Sequence, residues 1–200
     1  MTTNDSPTAR SKLLTAAAEE FADKGIAGSR VDAIAARAGV NKQLLYYYFG
    51  SKDGLFRALL QLRLARPKSV PADEDPSTGE RMAKAARRHL DDQNYIRLLM
   101  WEALDSSSDA EMAEEEERRA FYGELIERIR QAQAEGSIPS DLDPTQILLT
   151  RIAQLMFPVA FPQITRLVTG LSVDDPEFAE ARATYLRRVY DGTDRDRSRT

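Results

Sequence analysis

Three glycines, Gly25, Gly39 and Gly50, cut the N-terminal part of this chain into short segments. Between them apolar residues recur three and four apart, and no strand-like alternation of β-branched residues persists. Leu13, Leu14, Ala17, Ala18, Phe21 and Ala22 form one apolar face. They predict a helix from about Thr8 to Lys24, stopped by Gly25 just past its end. A second, short helix is expected from Ser29 or Arg30 to Ala38, with Ser29 as a possible cap and Asp32 near its positive end. Gly39-Val40 then makes a tight turn. Asn41 is a good cap for a third helix ending near Phe49, and Ser51 for a fourth from Lys52 to about Arg66.

The Pro-, Asp- and Ser-rich stretch Pro67 to Gly79 reads as a linker. Beyond it the periodicity predicts longer helices at about Glu80 to Leu104, Ala110 to Gly136, Pro144 to Gly170 and Pro176 to Tyr190. Helix-favouring Ala, Leu, Glu, Arg and Gln dominate throughout. The chain is therefore expected to be all-α. The organisation predicted is a helix-turn-helix domain over 8–52, a connecting helix over 53–66, a linker over 67–79, a helical domain over 80–192 and a charged tail over 193–200.

Composition narrows the function. The chain has no cysteine and one histidine. That excludes a disulfide framework and a thiolate metal site, and it argues against a histidine metal cluster. No nucleophile–base arrangement and no glycine-rich phosphate loop is present, so neither enzyme activity nor a cofactor is expected. The longest nearly unbroken apolar stretch, Ile152 to Phe161, is too short to span a bilayer. The polar N-terminus lacks the apolar core of a secretory signal, and a cytoplasmic location without membrane contact is expected. The formal net charge of −4 hides an asymmetry. Residues 1–66 carry ten Lys/Arg against six Asp/Glu, whereas residues 67–200 carry eighteen against twenty-six. A basic front on an acidic body fits a DNA-binding domain joined to a regulatory one.

Residues 29–49 hold the informative pattern: a short helix, a glycine turn and a second short helix offered to a major groove. Ala35, Ala38 and Gly39 are small enough for the two helices to approach closely, and Val40 and Leu45 plug the space between them. The exposed face of the second helix is expected to carry Asn41, Lys42, Gln43, Leu44, Tyr46 and Tyr47. Gln suits adenine, Lys suits guanine acceptors, and Leu meets a thymine methyl. Tyrosine hydroxyls and the N–H groups opening the next helix, where Lys52 adds a positive charge, suit phosphate oxygens.

The run LLTAAAEEFADKG, followed by IAARAGVNKQLLYYYFGSKDGLF, resembles the tetracycline-repressor (TetR) family of transcriptional regulators over about Thr8 to Leu60. The resemblance implies that Lys42, Gln43 and Tyr46 read bases, and that Leu44, Tyr47, Tyr48 and Lys52 lie against the sugar-phosphate backbone. It also implies departures. Arg30 stands where members usually have Ser or Thr, so either Arg30 is an added phosphate or groove contact or the cap moves to Ser29. Tyr48 stands where many have His.

The resemblance further implies a C-terminal domain that dimerises and binds a small molecule. The strongly apolar 144–170, interrupted by Pro158 and Pro162, needs more cover than one neighbour supplies. Two copies meeting with the last helix, through Phe178, Tyr185, Leu186 and Val189, would make a four-helix interface. The alternative is the buried central helix of a monomer. Met82, Tyr95, Met100, Trp101, Phe121, Tyr122, Met156 and Phe157 are candidates to line an effector pocket, each equally a core residue. His89 is expected to be exposed or a structural hydrogen bonder, and the run at 114–119 a solvated helix face. The function expected is a DNA-binding regulator, a repressor that grips a palindromic double-stranded operator as a homodimer and is released by an effector. The alternative is a helical sensor whose basic front binds a protein.

Overall fold

The computed structural model describes residues 8–65, 79–105 and 114–195. Those residues form helices α1 (Ala9–Gly28), α2 (Val31–Ala38), α3 (Lys42–Phe49), α4 (Lys52–Ala65), α5 (Gly79–Asp91), α6 (Gln93–Asp105), α7 (Glu115–Ala134), α8 (Pro144–Ala160), α9 (Pro162–Thr169) and α10 (Pro176–Arg195), with no strand among them. The expected linker over 67–79 lies outside the described residues except for Gly79, which opens α5.

Two compact units result. The first joins α1–α4 to the rest of α6 from Arg97 and the start of α7; the second holds α5, the start of α6, and the described residues from Arg118 onward. In the first unit Leu13, Ala17, Phe21, Ile34, Leu45, Leu55, Leu59 and Leu60 are all essentially sealed from solvent. The rings of Phe21 and Phe56 meet edge to face at 5.7 Å. In the second unit α10 packs along α5, and Met82, Ala86 and Leu186 form a cluster closed by Leu155 and Tyr190. A further cluster of Ile129, Ala132, Ile138 and Leu148 holds α7 to α8.

Several helix limits differ from the periodicity, each for a physical reason. Gly25 breaks helical geometry as expected (φ 69°, ψ 174°), but a further turn follows it to Gly28. The predicted 80–104 helix is two, separated at Asp92. The predicted 144–170 helix is also two, bent by 89°. Pro162 removes the N–H that Pro158 O would accept, and the hydroxyl of Thr165 donates to that carbonyl at 3.3 Å. Pro158 stays inside α8, and its missing N–H frees Gln154 O, which accepts from the Arg182 guanidinium at 2.7 Å. Both prolines are thus tolerated because a side chain replaces each lost backbone donor. No single described helix is long and apolar enough to cross a membrane, although the bent α8–α9 pair passes the same test of length and composition.

Three side-chain expectations change. Arg118, expected on a solvated face, is buried at 6% exposure. Phe178 and Leu186, expected at a dimer face, lie in the core of their own unit; Tyr185 and Val189 are the exposed pair. The helix α10 also runs on to Arg195, into the expected tail. His89 is half-buried, its Nδ1 2.8 Å from Ala85 O, and burial holds its imidazole below the ordinary histidine range.

Candidate nucleic-acid interface

The turn between α2 and α3 is built from local chemistry. Gly39 takes a left-handed conformation (φ 65°, ψ 34°), and nothing lies within 4 Å of where its Cβ would stand. Backbone conformation, not space, therefore selects glycine here. The Gly39 and Val40 N–H groups donate to Ala36 O and Ala35 O, each at 3.1 Å, which closes the end of α2. The Asn41 carboxamide oxygen then accepts from the Gln43 N–H at 2.9 Å and starts α3 as its cap.

Only Leu45 of α3 is buried. At about 100° per residue, Gln43 and Tyr47 then point most directly away from it. Lys42 and Tyr46 form one flank, and Leu44 and Tyr48 the other. Exposure agrees: Tyr47 is 79% exposed, against 49% for Tyr46 and 40% for Tyr48, and the Tyr47 and Tyr48 rings meet at 5.2 Å. Asn41, Lys42 and Gln43 are exposed and Leu44 half-buried. The face expected to meet DNA is therefore open, with Tyr47 more prominent on it than the spacing of the family pattern implies.

Two cations are less free than the sequence reading supposes. Lys42 Nζ pairs with Asp32 Oδ1 at 3.1 Å, though both remain exposed. Such a pair holds little energy and yields readily to a base edge. Lys52 is half-buried and donates to Ser29 O at 3.1 Å and Ala27 O at 3.5 Å, which ties the start of α4 to the α1–α2 junction. Arg30 is exposed at the head of α2 with no side-chain cap.

Ser29 corrects the reading of this junction. Expected as a cap or a DNA contact, it is buried, and its hydroxyl lies 2.5 Å from Gly25 O and 3.1 Å from Glu20 O. The break at Gly25 leaves carbonyls without helical donors, and Ser29 supplies one.

A residue that sequence reasoning missed organises the same place. Glu20 is 1% exposed, yet charged. Its carboxylate accepts from Lys24 at 2.7 Å and pairs with Arg37 at 3.5 Å. The hydrogen bond from Lys24 and the charges of Lys24 and Arg37 hold its pKa below the usual carboxylate value, against the opposing effect of burial. Arg37 also reaches Glu19 at 2.8 Å. This network fixes α2 on α1, and through it the angle at which α3 is presented.

The expected effector residues are not gathered into one cavity. Met82 is in the α5–α10 core. Trp101 belongs to the first unit, where its indole N–H donates to Ala22 O at 3.1 Å and its ring covers Gly25. Phe157 is 45% exposed and lines a shallow cleft of about 410 Å³ with Leu149, Thr150, Ala153, Gln154 and Arg182. Tyr95, Met100, Phe121, Tyr122 and Met156 are half-buried. The Phe121 and Tyr122 rings meet at 5.4 Å, and Tyr122 packs against the Ile129–Leu148 cluster.

Comparison with known proteins agrees with this architecture. Residues 13–59 match the family described as bacterial regulatory proteins, tetR family, and residues 60–191 match the tetracyclin repressor-like C-terminal domain. The chain is 34% identical over 171 residues to the HTH-type transcriptional repressor SCO4008 of Streptomyces coelicolor, covering 85% of this chain and 88% of that one. Among solved structures it shares its fold with the transcriptional regulator SCO4942 of Streptomyces coelicolor (TM-score 0.76, 23% identity, 93% of this chain and 98% of the other). It also shares it with the regulator FadR of Bacillus subtilis in complex with stearoyl-CoA (TM-score 0.64, 18% identity, 88% and 96%).

Proposed function

The chain belongs to the tetR family of bacterial helix-turn-helix regulatory proteins, and we propose that it represses transcription as a homodimer whose two α3 helices enter the major groove of a palindromic operator. The observation that carries this reading is the open face of α3. Gln43 and Tyr47 stand outermost, Lys42 and Tyr46 beside them, and a single buried leucine anchors the helix. Gln43 reads adenine through paired donor and acceptor, and Lys42, released from Asp32, reads guanine. Tyr46 joins them at base edges. Asn41, Leu44, Tyr47, Tyr48 and Arg30 meet sugar and phosphate, and Lys52 acts there partly through the junction it ties.

One recognition helix makes too few contacts for specific binding, so two are needed. The exposed apolar row of Leu149, Phe157, Phe161, Ile164, Leu167 and Val168 supports burial against a second copy. Release by a small molecule follows from linkage, because a ligand that favours one conformation lowers affinity for a partner that favours the other. The proposed effector binds the second unit near the half-buried Tyr95, Phe121, Tyr122 and Met156. FadR, solved with an acyl-CoA, is the reason to begin the search among apolar ligands. The same proposal has the protein act in the cytoplasm as a binding protein rather than an enzyme.

Fluorescence-anisotropy titration of duplexes across salt concentrations tests the reading. Lys52→Ala weakens binding on every sequence and flattens the salt dependence by about one ion. Gln43→Ala changes sequence preference. An equal loss on specific and random duplexes from the Gln43 change removes its base-reading role. Binding that does not respond to salt would instead favour a protein partner for the basic front.

A further inference from the structure

The outward stripe of α10 carries an opposite charge near each end that no described residue pairs with. The inward stripe, Phe178, Ala183 and Leu186, is buried. Outward, Glu177, Glu180, Ala181, Tyr185, Arg188 and Val189 are exposed with Thr184 half-exposed among them, along a shallow depression of about 830 Å³. Glu180 is held by Arg87 at 2.5 Å and Arg187 at 3.8 Å. Neither Glu177 nor Arg188 has an ion-pair partner among the described residues. They stand three turns apart on one helix, about 16 Å, and so do not reach each other.

Their spacing is symmetric in opposite charge. Glu177, Ala181, Thr184 and Arg188 follow one another at four, three and four residues, the spacing of a coiled-coil seam. Place a two-fold axis between Arg182 and Ala183, and an antiparallel copy sets Glu177 against Arg188, Ala181 against Thr184 and Glu180 against Tyr185. Small residues fall at the centre, where two helices come closest. Opposite charges fall at both ends, and the helix dipoles oppose favourably. A parallel copy would set like charge on like charge instead.

We propose that two copies of this chain pair antiparallel along this stripe of α10, with Glu177 of each against Arg188 of the partner subunit. The proposal rests on the dimer reading above and adds its register and the residues that select a second copy of this chain over other helical surfaces. The two ion pairs, repeated by symmetry, act mainly by penalising wrong partners.

Charge reversal tests it on the full chain, with sedimentation velocity at low ionic strength as the readout and circular dichroism to check folding. Glu177→Arg and Arg188→Glu each raise the dimer dissociation constant, on the order of tenfold, because two attractions become two repulsions. An equimolar mixture of the two variants recovers the wild-type affinity, since every facing pair is again opposite in charge. The double variant E177R/R188E recovers it alone. Because the chain lacks cysteine, a second readout is clean: a mixture of Ala181→Cys and Thr184→Cys oxidises to a crosslinked dimer faster than either alone. A wild-type chain that stays monomeric overturns both the dimer and this register. A wild-type dimer whose reversed variants pair as well as it does, or whose mixture is no tighter than its components, overturns the register and leaves the dimer standing. Equal crosslinking rates in the mixed and single cysteine variants do the same.

Discussion

Replacing Gly25 by alanine tests how the first unit is held together. Gly25 sits at φ 69° and ψ 174°, a backbone region almost reserved for glycine, where an L side chain costs about 1–3 kcal/mol. A Cβ there would also stand 2.8 and 2.9 Å from ring atoms of Trp101, closer than side chains pack. Relieving that overlap by displacing the indole costs roughly another 1–3 kcal/mol and strains its bond to Ala22 O. Gly25→Ala therefore destabilises the protein by about 2–6 kcal/mol. In a Trp101→Ala background only the backbone part remains, so the same change costs about 1–3 kcal/mol. The coupling in the double-mutant cycle is then about 1–3 kcal/mol. Urea denaturation followed by circular dichroism measures all four stabilities. In the wild type, fluorescence of the one tryptophan reports the same contact directly. A Gly25→Ala cost that is equal in both backgrounds refutes the claim that Trp101 closes over the break in α1.

Glu20→Gln removes the buried carboxylate that joins Lys24 and Arg37. Both cations can re-enter water, so the loss is about 2 kcal/mol. Because the folded state holds this carboxylate below its unfolded value, its contribution is present above about pH 4.5 and is lost as pH falls through the folded-state value. Chemical denaturation across acidic pH checks this: the variant shows a shallower acid limb, and an unchanged limb contradicts the assignment. Arg182→Met leaves Gln154 O without the donor that replaces Pro158, at a cost of about 1–3 kcal/mol. Restoring the backbone donor with Pro158→Ala recovers much of that loss in the same denaturation assay, and no recovery contradicts the pairing of these two features.

The helix-turn-helix was legible because its signals are local. Gly39 fixes the turn through its own φ, Asn41 caps through a bond to Gln43, and Leu45 is the inward position of an eight-residue helix. What the sequence hid depends on the third dimension. Ser29 reads as a cap, but the break at Gly25 turns a carbonyl toward its hydroxyl, and the same junction gives Lys52 a carbonyl partner besides any phosphate. Nothing in the sequence singles out Glu20, because only the return of α2 places Arg37 against it. In the second unit the prolines marked the bend before α9, whereas the break at Asp92 has no glycine or proline beside it and is signalled only by Asp91, Asp92 and Asn94, residues that favour caps and turns. The aromatic candidates for an effector site share a composition with any helical core, so their spacing had no means to separate Met82 in a core from Phe157 on a surface.

Selection of bound sequences from a random duplex pool, using the intact chain, tests the account most directly. Two recognition helices related by two-fold symmetry predict an inverted repeat, with half-sites a helical turn or more apart and strongest selection where Lys42 and Gln43 meet base edges. Enrichment of a lone asymmetric site, or of no sequence at all, would contradict it.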